Sequence, residues 1–261
     1  MYDLAALEAA FARSIYSGNF HYTPVTGSTN TDALAAAREG ASHGSVFFAD
    51  EQTAGRGRGD HDWQSVARQG LYVSVLLRPK IATEHMPLIP LAAGLAAAQA
   101  IGITTGLQID LRWPNDLLIG ERKTGGILVE SKTEAGAPGF AVVGIGINVH
   151  QRSFDPNLST PATSLELESS RSISRQALLI SLLESLQHET WALLDPGLVA
   201  AIPARVAFLS TWVSNRRVEV HGPQACVGVT AGLDEHGFLL VRTEQGLVTV
   251  QTGGIRAAET D

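Results

Sequence analysis

The sequence predicts a mixed α/β body followed by a short all-β segment. Three observations predict it. Up to about residue 211, Ala- and Leu-rich helical stretches are interspersed with short β-branched runs. Beyond Trp212 the helical stretches stop, and four strand-like runs follow at 213–221, 225–233, 238–242 and 247–252. Turn residues such as Gly222-Pro223, His236-Gly237 and Gln245-Gly246 separate them, the pattern of a small barrel of about 45 residues. The third observation is composition: 44% of residues are hydrophobic and only 17% charged, which favours a large packed core over a disordered or coiled-coil chain. At roughly 100–200 residues per domain, 261 residues make one large unit and one small one, drawn here at 1–211 and 212–261.

Element by element, residues 4–15 read as a helix and 20–25 as extended. Gly27-Ser28-Thr29-Asn30 supplies capping side chains for a helix over 32–39, which Gly40 stops. A strand at 45–49 precedes a glycine-rich loop at 53–62, and 71–77 reads as an alternating strand. Residues 88–103 form a helix that is apolar on nearly all sides, hence buried. Strands follow at 108–112, 117–119, 127–131 and 140–149. The stretch 154–173, rich in Ser, Thr and Pro, reads as a surface loop. Ser174 caps a helix to about Leu194, with Leu179, Leu182, Leu183 and Leu186 on one face, and 198–209 is a further helix.

Charge and cysteine content exclude several classes. A net charge of −7 argues against a general nucleic-acid binder steered by a basic surface. The single cysteine, Cys226, forms no intrachain disulfide and no cysteine-only metal cage, as fits a reducing, cytoplasmic setting. The longest apolar stretch, 86–98, contains Pro87, Pro90 and Gly94 and falls short of the roughly 18 residues a membrane span needs. The first residues carry Asp3 before any basic residue, unlike a secretory signal.

Four short elements can carry chemistry, and each also has a plain structural reading. Only three of the 19 basic residues are lysines, Lys80, Lys123 and Lys132. Lys123 directly precedes Thr124-Gly125-Gly126, where glycines let backbone N–H groups approach an anion; the plain reading is a solvated turn lysine. Gly55-Arg56-Gly57-Arg58-Gly59 offers two forked donors on a pliable backbone, yet is neither a P-loop nor a dinucleotide fingerprint. It also reads as a flexible surface loop or a short RNA-contacting segment, although Asp60 and Asp62 would repel a phosphate backbone. Arg112-Trp113-Pro114-Asn115-Asp116 ends a strand, where Asn115 and Asp116 either face a ligand or simply open a turn. The alternate glycines of Gly144-Ile145-Gly146-Ile147-Asn148 leave one strand face bare, for something flat or for a packed helix.

In this order the elements resemble the biotin protein ligases, over nearly the whole chain. The likeness rests on GSTN at 27–30, QTAGRGR at 52–58 with Trp63 after it, WPND at 113–116, KTGGIL at 123–128, GIGINV at 144–149 and ATSL at 162–165. The resemblance implies an α+β fold: a class II synthetase-like mixed sheet with helices, plus a small C-terminal SH3-like β-barrel. It implies a biotin site of Ser28, Thr29, Asn30, Gln52, Gly55, Arg56, Arg58, Lys123, Gly126 and Gly144. It implies an ATP side of Arg58, Trp63, Arg112, Asn115, Asp116, Lys123 and Asn148, with Lys123, Arg58 and Asp116 as the catalytic set. The indole of Trp63 would pack against adenine or, more plainly, anchor its loop in the core. The loop at 55–62 would close over the ligand.

The implied reaction joins biotin to ATP as biotinyl-5′-AMP with release of pyrophosphate, then moves biotin to a lysine of a biotin carboxyl carrier protein, as in acetyl-CoA carboxylase. A carboxylate is already a nucleophile, so the first step needs cations and positioning rather than a base. Asp116 would orient those cations or accept a proton. Mg2+ would accompany the triphosphate. Two departures stand out: Arg112 replaces the family's usual lysine, and Gly59, Asp60, His61 and Asp62 stand where many relatives carry further basic residues, which implies looser retention of the adenylate. The 26 residues before Gly27 are too few for a helix-turn-helix domain with its own core, so no operator DNA and no membrane are expected as partners. The resemblance also raises a homodimer paired through a sheet edge. The rival readings are a lipoate or octanoyl ligase and a non-enzymatic RNA-contacting module.

Overall fold

In the computed structural model, residues 2–59, 61–134 and 137–258 are described. Two sheets organise the chain. The larger has seven strands in the order β1-β2-β3-β7-β6-β5-β4. These are β1 (Phe20–Thr26), β2 (Val46–Gln52), β3 (Gly70–Leu77), β4 (Asp110–Arg112), β5 (Asp116–Ile119), β6 (Arg122–Glu134) and β7 (Ala137–Asn148). Only β1 and β2 run parallel; every other neighbouring pair is antiparallel.

Both faces of this sheet are covered. Helices α3 (Ile89–Thr105) and α5 (Arg175–Leu194) bury one face, packing on Val73, Val75, Leu77, Val143, Ile145 and Ile147. Helix α2 (Thr29–Arg38) covers part of the other through Ala33 and Ala37, against Phe47, Leu76 and Val142. Strand β3 is therefore buried at every position rather than alternating, because apolar and small residues meet a helical layer on each side. Helix α3 and the 3₁₀ turn before it, Thr83–Leu88, form a stretch long and apolar enough to cross a membrane, contrary to the estimate from 86–98. Here it lies mostly buried as the core helix.

The other differences from the sequence expectation have local causes. Helix α1 stops at Ala10, since Phe11 turns to pack edge-on against Tyr16. The helix expected over 198–209 is two, α6 (Pro196–Val199) and α7 (Ile202–Phe208), with Pro203 in the first turn of the second. Strand β6 begins at Arg122, so Lys123 stands on a strand: pairing of Gly125 and Gly126 with β7 overrides their poor strand propensity. The stretch 154–173 is not simply a surface loop. It contains α4 (Leu165–Ser169), buries Thr163 and Ser164, and its Pro161 and Thr163 backbones bond Lys123 on both sides.

The C-terminal sheet has five strands, not four, in the order β11-β10-β9-β8-β12. They are β8 (Ser214–His221), β9 (Cys226–Leu233), β10 (Leu239–Thr243), β11 (Gly246–Val250) and β12 (Gly254–Ala257). β12 has only four residues behind a glycine and becomes a strand through antiparallel pairing with β8. Trp212, 2% exposed, roots this sheet in the body, and the Trp113 indole N–H donates to the Gly237 carbonyl at 3.0 Å.

Candidate active site

The pleat of the large sheet explains where the site lies. On β7, residues 140, 142, 144, 146 and 148 share one face, opposite Leu76, Ser74 and Tyr72 on β3 and Leu128 and Gly126 on β6. Helix α2 covers the Val142 end. Toward Asn148 the side chains are glycines, and a cavity of about 660 Å³ opens over them. The loop after β2, the segment after β7, and the His221–Pro223 and Thr252–Arg256 stretches of the small sheet complete its walls.

Three stations follow one another along this face. At Gly144, a side chain would put its Cβ 2.1 Å from Asn30 Oδ1. That oxygen is fixed: it accepts from Ser74 Oγ at 2.6 Å, while Asn30 Nδ2 donates to Glu130 Oε2 at 2.9 Å. Beside it the Thr29 backbone N–H donates to Gln52 Oε1 at 2.8 Å, and Gln52 Nε2 donates to Ser65 Oγ at 2.8 Å. Ser28, Thr29, Asn30, Gln52 and Gly144 thus form one polar pocket end.

At Gly146 the flat group on the bare strand is the Trp63 indole; a Cβ there would lie 2.6 Å from its ring. Lys123 Nζ stands 5.6 Å from that ring's centre, close enough for cation–π attraction. The same ammonium bonds Asp116 Oδ1 at 2.6 Å. Asp116 Oδ2 in turn accepts from Arg112 Nη2 at 2.6 Å and Nε at 3.1 Å. Arg112 also donates to Thr160 Oγ1 at 2.9 Å and lies over the Trp212 ring, against which Arg216 stacks at 3.5 Å. Burial alone would raise Asp116, but the charges and hydrogen bonds of Lys123 and Arg112 outweigh it and hold the carboxyl below its ordinary range. With both oxygens bonded, Asp116 orients cations and is a poor proton acceptor.

The third station is Asn148, whose Nδ2 donates to the Thr163 carbonyl at 3.1 Å, and its neighbour Gln151.

All of the sequence-derived candidates border the cavity except Gly55. Gly55 packs instead against the Trp63 carbonyl, which a Cβ would approach to 2.4 Å. Several others spend their side chains on the protein. Arg56 pairs with Glu130 at 2.8 Å, and Arg58 Nη1 donates to the Gly253 carbonyl at 2.6 Å. Asn115 Nδ2 donates to the Ile127 carbonyl at 2.7 Å. Burial lowers Arg58, with Asp116 acting in the opposite direction. Asp60 lies outside the described residues, while the Asp62 main chain forms an antiparallel β-bridge with that of Arg56 and the residue borders the cavity. Sequence reasoning missed Ser74, Glu130, Thr160, Gln151 and the small-sheet wall. Glu130 alone had a signal, a carboxylate inside an apolar strand.

Among the described residues no three His, Cys, Asp or Glu side chains gather to hold a metal ion. The carboxylate beside Lys123 is already saturated by two cations, so this donor set does not fit a resident metal.

Comparison with known proteins places this geometry. The Biotin/lipoate A/B protein ligase family matches residues 22–148. The chain is similar to the Bifunctional ligase/repressor BirA of Bacillus spizizenii, 33% identical over 90% of this chain and 72% of the relative. It is similar also to the Biotin--[acetyl-CoA-carboxylase] ligase of Mycobacterium tuberculosis, 34% identical over 88% of this chain and 85% of the relative. Among solved structures, the biotin protein ligase from Aquifex aeolicus in complex with biotin and ATP matches with a TM-score of 0.79 at 28% identity, covering 92% of this chain and 98% of that one. The mixed sheet, the order of the motifs and these likenesses agree, and the chain is a ligase belonging to the biotin protein ligases of the biotin/lipoate A/B protein ligase family.

Proposed function

We propose that this ligase activates biotin with ATP to biotinyl-5′-AMP and transfers the acyl group to a lysine of a biotin carboxyl carrier protein. The observation that carries the reading is the Lys123 ammonium. It is held at 2.6 Å by Asp116, only 28% exposed, and borders the cavity midway along the strand face. One end of that face is a pocket of fixed amide and hydroxyl groups, suited to the paired donors and acceptors of a ureido ring. The other end, at Asn148, lies about 13 Å from Gly144 at roughly 3.3 Å per residue. A carboxylate-bearing ligand and a nucleotide entering from the two ends meet at the cation. Mg2+ enters in this reading as part of the nucleotide substrate, and no step depends on a protein-held metal.

In the first step a biotin carboxylate oxygen bonds to the α-phosphorus and the bond to the bridging oxygen breaks, releasing pyrophosphate. Both reactants are anionic, so a cation that is already oriented lowers the cost of their approach and stabilises charge growing on the phosphoryl oxygens. In the second step a neutral lysine amine attacks the acyl carbon. AMP leaves with the bonding electron pair, and the amine's extra proton passes to water or the departing phosphate. The Trp63 indole, packed on the strand at Gly146 beside Lys123, gives the reacting centre an apolar wall that limits water at the anhydride.

The test is incubation with biotin, Mg-ATP and a biotin carboxyl carrier domain, read by streptavidin binding and pyrophosphate release. Labelled carrier with stoichiometric pyrophosphate is expected. Lipoylation in place of biotinylation would favour the lipoate-ligase rival, and RNA binding without pyrophosphate would favour the RNA-contacting one.

A further inference from the structure

We propose that Trp212 is a positioning residue for the adenylation step: its ring holds the Arg112 guanidinium on Asp116 and thereby keeps the Lys123 ammonium turned to the cavity. The inference deepens the reaction proposed above and rests on it. Trp212 is 2% exposed, stands at the root of the small sheet and is not one of the cavity's lining residues, so it acts only through Arg112.

The ring is placed by the main chain. β4, only three residues long, is the last strand of the large sheet, so no further strand supports its outer side. Residues 209–212 take that place. The Leu111 N–H donates to the Leu209 carbonyl at 3.1 Å, and Ser210 Oγ donates to the Leu111 carbonyl at 2.5 Å. Thr211 bonds both oxygens of Asp110, through its N–H at 2.9 Å and its Oγ1 at 2.5 Å. With positions 110 and 111 fixed in this way, Arg112 meets Trp212, its guanidinium carbon 5.2 Å from the ring centre. Arg216 of β8 also stacks on the ring, at 3.5 Å, and its Nη2 donates to both oxygens of Glu121 at 2.9 and 3.1 Å. Glu121 is in the turn between β5 and β6, shortly before Lys123. The indole is thus shared by two guanidinium groups, each balanced by its own carboxylate, and the hairpin that carries Asp116 and Lys123 is gripped through both.

A cation is attracted by the negative face of an indole, most strongly where water is excluded, and Arg112 is only 9% exposed. Asp116 gives one oxygen to each cation, Oδ1 to Lys123 and Oδ2 to Arg112. While Arg112 fills Oδ2, Lys123 has a single oxygen to bond and keeps its remaining N–H groups for the cavity side. Without the ring, Arg112 loses the contact that orients its plane, and Oδ2 opens. The ammonium is then free to straddle the carboxylate and draw back from the reacting atoms. The loss falls on the transition state, where the oriented charge acts, and not on ground-state binding.

The experiment measures biotin-dependent pyrophosphate release by the full chain with position 212 carrying tryptophan with zero to four ring fluorines, introduced by nonsense suppression. Fluorine drains the negative face and keeps the shape of the ring. We expect kcat to fall stepwise, by about tenfold over the series, with the KM values for biotin and ATP within about twofold of the wild type. A purely structural ring gives a flat series, and a flat series overturns the proposal. Substitutions sharpen the result. Trp212→Phe keeps a π face and should hold kcat within about threefold, while Trp212→Leu should lose about tenfold. In an Arg112→Met background Trp212→Leu should cost nothing further, because its effect runs through Arg112; an equal cost in both backgrounds overturns the proposal. Should Trp212→Leu not fold, the fluorinated series decides alone. Wild-type turnover with a flat series overturns this inference only; no biotin-dependent turnover by the wild type overturns the proposed reaction and this inference with it.

Discussion

Two carboxylates, each held between two cations, sit on opposite faces of the large sheet. Asp50 projects from β2 under α5, where Arg175 bonds one oxygen at 2.8 Å. Tyr22 and Arg68 take the other oxygen at 3.0 and 3.4 Å. Asp116 projects from β5 toward the cavity between Lys123 and Arg112. The local chemistry is similar, and in both cases partners overcome burial to hold the carboxyl below its ordinary range. The difference lies in what the cations face. Arg175 is 9% exposed, lies over the Tyr2 ring and donates to the Gly70 carbonyl, so it is consumed by the fold. Lys123 keeps one side toward the Trp63 ring and the cavity. An ion cluster thus becomes a site when one member retains an open direction toward a ligand, and otherwise locks the structure. The Asp50 backbone carbonyl also accepts from the Arg68 N–H at 2.9 Å, where φ is +61°, so the main chain of β2 pins the far end of the segment that carries Trp63.

Substitutions that separate these roles test the contrast. The largest effect expected is for Lys123→Ala, which should lower biotin-dependent pyrophosphate release by roughly a hundred- to a thousandfold. Its melting temperature should stay near that of the wild type, because the side chain is partly exposed and Arg112 still pairs with Asp116. Near-normal pyrophosphate release by the folded variant would remove Lys123 from the mechanism. Next, Asp50→Ala should cost about 3–5 kcal/mol of stability, since it leaves a buried guanidinium unpaired. Denaturant titration measures this, and a change under 1 kcal/mol would mean Asp50 does not lock the fold.

The smallest effect is on pH dependence. Both carboxyls have folded pKa values below the ordinary 3.8, so each contributes stability that is fully present above that value. The contribution is lost as pH falls through 3.8 toward the lower folded values. Acid unfolding followed by circular dichroism should therefore be steep below about pH 4 and shallower in Asp50→Asn, which removes one of the two groups. Identical acid curves for the two proteins would show that Asp50 contributes nothing to this slope.

Much of the fold and of the site was legible in the chain itself. Strand-like runs, capping residues and glycine spacing placed the body and the β segment. The ordered motifs brought Ser28, Gln52, Trp63, Asp116, Lys123 and Asn148 toward one site, because motif order is a property of the sequence. The errors share one cause: they concern residues whose behaviour is set by a distant partner. β3 is buried on both faces only because helices from two parts of the chain cover it. β12 exists only beside β8. Gly55 needed the Trp63 carbonyl to explain it.

By itself the sequence determined which elements form, which residues are able to carry charge, and the family likeness, since propensity, periodicity and motif order are local or serial properties. The tertiary structure alone decided that Lys123 faces a cavity while Arg175 does not, and that Asn148 spends its Nδ2 on the Thr163 carbonyl. Those are questions of direction and of hydrogen-bond balance. They are settled only when strands and segments far apart in the chain are packed against one another.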